Sequence, residues 1–283
     1  MVLEALVGVK EAEKTPFYVF LLGMLYASVA IFLSLWIFQS EASLIMVFLM
    51  VFASLPLIYK TQSFEARKDY DFKPGDNLTR IHINGLKIFM YLFLGFMVAM
   101  AVWYIFLPAD TVYNLFSSQI GTIKSINSSP STGQVTSWNF LSTIVLNNLK
   151  VLILSVLFSF FYGVGALFIL SWNASVISAA MGNFIRTNLA NYASTIGFSK
   201  FGAYLQVFSL ALIRYMTHGL FEILAYLVGG LAGGLISIAM INKHFEGEHF
   251  KFIIKDAVDL LIFAVILVFV AGLIEVFITP IFF

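Results

Sequence analysis

Residues 17–38 form a run of 22 residues without one charged side chain, and a run of that kind folds in few ways. As a helix it is long enough to cross the roughly 30 Å hydrocarbon core of a bilayer. It exceeds the apolar stretch of a signal peptide, and no small-residue cleavage motif follows it, so it reads as a retained first span. Other apolar runs fill residues 43–59, 86–107, 140–162, 166–181, 201–241 and 257–279. Hydrophobic residues make up 60% of the chain and charged residues only 11%, against about 25% charged in a soluble domain. The expected fold is all-α: a polytopic transmembrane helical bundle of about seven or eight membrane segments, some of them broken or re-entrant.

Polar segments set the expected order of the bundle. Residues 1–16 alternate apolar and charged positions as a helix lying on the membrane surface would, and Thr15-Pro16 suits the start of the first span. A tight turn at residues 39–42 makes the first two spans a hairpin. The segment 60–87 is the most basic and reads as a solvated cytoplasmic loop, which places the N-terminus inside. Residues 108–139, rich in Ser, Thr and Asn, read as an external loop. A helix over residues 201–241 would be about 60 Å long, twice the hydrocarbon thickness, so a break is expected at Thr217-His218-Gly219. Seven spans with one re-entrant segment put the loop 242–256 inside, whereas eight full spans put it outside; the first arrangement is preferred. One membrane domain over residues 1–283 is expected, with a three-span part at 1–139 and a core at 140–283.

Within the apolar runs a few polar residues stand out. Arg214, His218 and Glu222 are four apart and share one face of a helix. A charged stripe facing acyl chains is costly, so it must face protein or water, and Arg214 is long enough to reach an interface. Asn148, Ser155, Ser159 and Gly163 form a second stripe, with Asn147 and Lys150 beside its start. Ala174, Ser178 and Gly182 repeat as small residues at a helix contact, next to Asn173, and Gly229 and Gly233 repeat in the same way. Glu275 lies deeper in the last run than a rim residue needs to be.

These residues are compatible with more than one chemistry. His218 and Glu222 could both reach one metal ion, but the HExxH order is absent and a catalytic zinc needs three protein ligands. Hydrogen bonding that holds helices together is the simpler reading. The chain contains no cysteine, and no nucleotide-binding or nucleophile motif is visible, so neither catalysis nor a metal or cofactor is expected. A net charge of +1 gives no reason to expect nucleic acid. The expected partners are the lipid bilayer, envelope proteins and a second copy of the chain.

Asn147-Asn148, the interruption at Gly163 and Gly165, Asn173, His218-Gly219 with Glu222, the glycines after it, and Glu275 with Thr279-Pro280 together resemble the stage II sporulation protein M family. The resemblance covers residues 140–283. It implies a multi-pass protein of the cell membrane, similar to a namesake that acts as a scaffold recruiting peptidoglycan hydrolases. It also implies that Asn147, Asn148, Asn173, His218 and Glu222 converge between broken helices as one polar cluster, with Gly163, Gly165 and Gly219 as breaks. Two functions follow as expectations: a non-enzymatic scaffold or assembly partner in envelope remodelling, or a transporter or channel that uses the cluster for an ion or small solute.

Overall fold

A computed structural model describes residues 9–68, 78–127, 137–162, 166–191, 198–241 and 248–282, and every regular element among them is helical. The short α1, Val9–Lys14, leads through Thr15 into α2, Pro16–Ile37, which opens on its proline. One turn of 3₁₀ helix, Gln39–Glu41, joins α2 to α3, Ala42–Lys68. Then come α4, Leu78–Phe106, and two short helices, α5, Ala109–Leu115, and α6, Ser117–Asn127. The remaining long helices are α7, Ser137–Tyr162, α8, Ala166–Ala190, α9, Phe198–Ile241, and α10, Glu248–Leu273. A π-helical stretch, Ile274–Ile278, continues α10 into the last turn, α11, Thr279–Phe282.

Seven of these helices, α2, α3, α4, α7, α8, α9 and α10, are long and apolar enough to cross a membrane. Their contacts fix their directions. Ser28 meets the Trp103 indole and Ser178 meets the Met97 carbonyl, and Tyr104 meets Gly182, so α2, α4 and α8 run one way. The Phe48 ring packs at a tilt against Phe168 while Ser43 lies beside Gln119, which bonds Ser175; α3 therefore runs against α8. Asn148 pairs with Glu222 and Ser155 with Tyr226, so α7 and α9 are parallel. Trp138 meets Phe277 and Val145 meets Gly272, which turns α10 against α7. Successive long helices thus alternate in direction, as seven successive crossings require. One continuous core draws buried side chains from all seven.

Three expectations about segments are corrected. The break at residues 217–219 is absent: α9 runs unbroken from Phe198 to Ile241. A 44-residue helix can outrun the hydrocarbon thickness, because not every apolar residue has to lie in it. The first half of α9 is largely exposed, and Ala203, Val207 and Ala211 are buried along it, the last two packed with Ile185 of α8. The helix stays closed at Thr217, whose hydroxyl bonds the Ile213 carbonyl one turn back.

The basic segment 60–87 is not a loop throughout. Helix α3 continues to Lys68, and Thr61, Gln62 and Glu65 are wholly buried. The segment 108–139 carries α5 and α6, which fold back onto the bundle and bury Leu115, Phe116 and Gln119. Their apolar positions at 112, 115, 116, 120 and 123 follow a helical period, which the surrounding Ser, Thr and Asn obscure.

Candidate functional site

Glu222 faces α7, where Asn148 donates its side-chain amide to the carboxylate Oε1 across 2.5 Å. Asn148 is buried and Glu222 half-buried. Both lie well inside their helices, at positions where backbone groups are already satisfied. Two polar side chains there stabilise the structure only by meeting each other. One turn further along α9, Tyr226 is buried and its carbonyl accepts a hydrogen bond from the Ser155 hydroxyl, 3.0 Å away. Another turn along α7, the Ser159 hydroxyl accepts the backbone N–H of Ala166 at the start of α8, also at 3.0 Å. The predicted stripe Asn148–Ser155–Ser159 therefore faces α9 and the entry to α8.

Glycine lets α7 and α9 approach this closely. A Cβ on Gly233 would lie 2.5 Å from the Val156 carbonyl oxygen and 3.1 Å from the Ser159 Cβ, while one on Gly229 would strike the Leu152 side chain. The neighbouring glycines serve other contacts: Gly230 abuts Ala166 of α8 and Gly234 abuts the Gln62 amide of α3. One stretch of α9 thus packs against three helices through bare backbone. Gly219 behaves differently, since a Cβ there would meet nothing within 4 Å. It is neither a break nor a close contact.

His218 points to the other side of the pair. Its Nδ1 lies 3.4 Å from the Thr279 hydroxyl, which itself lies 3.2 Å from the Ile274 carbonyl. The hydroxyl can donate to the carbonyl while accepting from a protonated Nδ1, or donate to an unprotonated Nδ1. The π-helical stretch has a local cause. Pro280 has no N–H for the carbonyl four residues back and its ring crowds that carbonyl; the Thr279 N–H bonds Ile274, five residues back. Glu275 lies in this stretch, half-buried. It is close enough to Glu222 for the two carboxyls to interact electrostatically, and both act on the Tyr226 phenol.

The five polar residues expected to converge do so only in part. Asn148 and Glu222 are bonded, and His218 lies one turn away with a partner on the last helix. Asn147 is exposed on the far side of α7, because adjacent residues on a helix point about 100° apart. The Asn173 amide is engaged by the Ile169 carbonyl of its own helix, at 2.8 Å, so no direct bond joins it to the pair. Gly163 and Gly165 lie outside the described residues. Arg214 leaves the stripe: its guanidinium sits over the Phe184 ring, 5.5 Å from the ring centre. Among the described residues no three His, Asp or Glu side chains gather as a metal site would need.

Several contacts carry no strong mark in the sequence. Gly23 and Gly95 bring α2 and α4 together, with a Gly23 Cβ only 2.7 Å from the Leu92 carbonyl oxygen. Each is a single glycine in its run, without a repeat to flag it. Buried Gln119 donates to both the Ser43 carbonyl and the Ser175 hydroxyl, at 3.2 and 3.1 Å. The small-residue face on α8 is more legible: Ser178 bonds the Met97 carbonyl at 2.8 Å, and a Cβ on Gly182 would lie 2.6 Å from the Tyr104 ring.

Seven alternating helices, with a carboxylate bonded inside the bundle and a π-helical end on the last span, define a polytopic helical membrane protein with a polar group at the junction of α7, α9 and α10. The family model described as Stage II sporulation protein M matches residues 88–280, and the chain belongs to that family. The match begins well before residue 140 and takes in most of α4 with α5 and α6, further than the resemblance reached. Searches of curated proteins and of solved structures give no match.

Proposed function

We propose that the protein is a non-enzymatic scaffold or assembly partner in the cell membrane, multi-pass with its N-terminus cytoplasmic, acting in remodelling of the cell envelope. The bond between Asn148 and Glu222 carries the reading. A half-buried carboxylate matched by a buried neutral amide and flanked by a glycine contact is what polar helix glue looks like. Family membership favours the same reading, since the family's namesake resembles a scaffold. The orientation follows from charge: Lys14, Lys60, Lys87, Lys251 and Lys255 all lie on helices at the end of the bundle where α2 begins, and such an excess favours the cytoplasm.

A specific arrangement favours a second reading, a transporter or channel. Glu275 lies on a π-helical stretch within electrostatic reach of Glu222, and π-helical turns recur at functional sites. Paired acidic groups inside a membrane are where an ion or proton would be held. Glu222→Gln separates the two. As a scaffold, the variant assembles less well or unfolds more readily in native membranes, and reconstituted vesicles show the same ion permeability as with the unaltered protein. A Glu222-dependent flux through the unaltered protein, lost in the folded variant, would instead establish transport. Affinity purification from native membranes followed by mass spectrometry identifies the assembly partner.

A further inference from the structure

At the end of the bundle where α4 and α8 finish, a cavity of about 550 Å³ opens between α4, α5, α6, α8 and α9. Its volume is that of a small-molecule site. Lys124 of α6 and Arg186 of α8 line it together with Asn183 and the tyrosines Tyr104, Tyr113 and Tyr215, and no carboxylate is among the described lining residues. Val112, Ile120 and Ile123 supply an apolar wall.

Lys124 and Arg186 line one cavity, and Arg214 lies close by, held over Phe184 beside Tyr215. Arg186 reaches the Tyr104 carbonyl only at 3.4 Å, through Nη1. That long contact leaves most of its five donors for another acceptor. Two cations without a facing carboxylate favour an anion. The combination of tyrosines with an apolar wall, at the ends of membrane-crossing helices, suits a ligand that is charged at one end and apolar at the other.

We propose that this cavity binds a phosphate-ester anion, with Lys124 and Arg186 as its charge partners and Asn183 and the tyrosines as the surrounding polar groups. A phospholipid headgroup and a soluble phosphate ester both carry this chemistry. The site lies apart from Glu222 and stands whichever role that residue has.

The test uses the full chain purified in an uncharged detergent, with phosphatidylglycerol and, separately, glycerol 3-phosphate as probes, and binding read by native mass spectrometry and titration. Phosphatidylglycerol is expected to bind saturably at one site. Arg186→Gln with Lys124→Gln weakens it by about tenfold or more, the scale of one charge-assisted hydrogen bond. Lys124 is exposed, so Lys124→Gln alone leaves folding intact and gives a smaller loss in the same direction. Lys87→Gln, exposed near the opposite end of α4, leaves binding unchanged. Displacement by glycerol 3-phosphate shows that the headgroup alone suffices; saturable lipid binding without displacement shows that the anion must be lipid-borne. Absence of saturable binding by either probe, or equal losses from Lys87→Gln and the double variant, overturns the site.

Discussion

Asn148 on α7 and Glu222 on α9 meet across 2.5 Å inside parallel helices, amide to carboxylate. The neighbouring contacts do not replace this bond: Ser155 is bonded to the Tyr226 carbonyl and His218 to Thr279. Losing either partner leaves the other in a site built for two.

Asn148→Ala is therefore expected to destabilise the protein by about 1–2 kcal/mol, the scale of a buried hydrogen bond to a charged group reduced by the membrane reference state. Asn148→Asp, which opposes two carboxyls, should cost more. Thermal unfolding in detergent measures both. A double-mutant cycle of Asn148→Ala with Glu222→Ala isolates the pair, and a coupling indistinguishable from zero would refute the bond.

How much of this was legible depends on what each residue signals alone. Glu222, Asn148 and the paired glycines at 229–230 and 233–234 are conspicuous because charge, amide and bare backbone are rare in apolar runs, and all three mark real contacts. Which polar groups meet was less legible. Asn147 and Asn148 are indistinguishable by composition, and only the helical phase of α7 against α9 decides that the second is inside. Asn173 looks like a cluster member until its own helix offers the Ile169 carbonyl. The unbroken α9 was hidden because hydropathy measures how apolar a helix is and leaves open how much of it lies in lipid. Gln62 and Gln119 were hidden because polar residues near charged or Ser-rich segments read as solvated, and burial there comes from distant helices.

Gly219 and Gly233 provide a contrast within one helix. Gly219→Ala should be neutral or stabilise by up to about 1 kcal/mol, since it adds helix propensity where a Cβ meets nothing. Gly233→Ala should destabilise by about 1–3 kcal/mol, because its Cβ is forced toward the Val156 carbonyl at 2.5 Å. Melting temperatures of the two variants settle the contrast. Strong destabilisation by Gly219→Ala would count against a continuous helix there.

Gln62 is wholly buried, and neither its amide nitrogen nor its oxygen has a hydrogen-bond partner among the described residues. Burying an unmet amide costs more than burying a hydrocarbon of similar size. Gln62→Leu is expected to leave stability unchanged or raise it by about 1 kcal/mol. A loss of comparable size in thermal unfolding would mean that the amide has a partner after all.

The absence of cysteine makes the topology testable by single-cysteine labelling in an otherwise unaltered chain. Asp110 and Lys251 are both exposed, and α7, α8 and α9 lie between them. Three crossings place the two positions on opposite sides, and the lysine asymmetry puts Lys251 inside. An impermeant maleimide should therefore modify Asp110→Cys in intact cells and Lys251→Cys only after permeabilisation. The reversed pattern would overturn the orientation while leaving the number of crossings intact. If both positions were modified in intact cells, an even number of crossings would separate them, and one of α7, α8 and α9 would not cross the membrane.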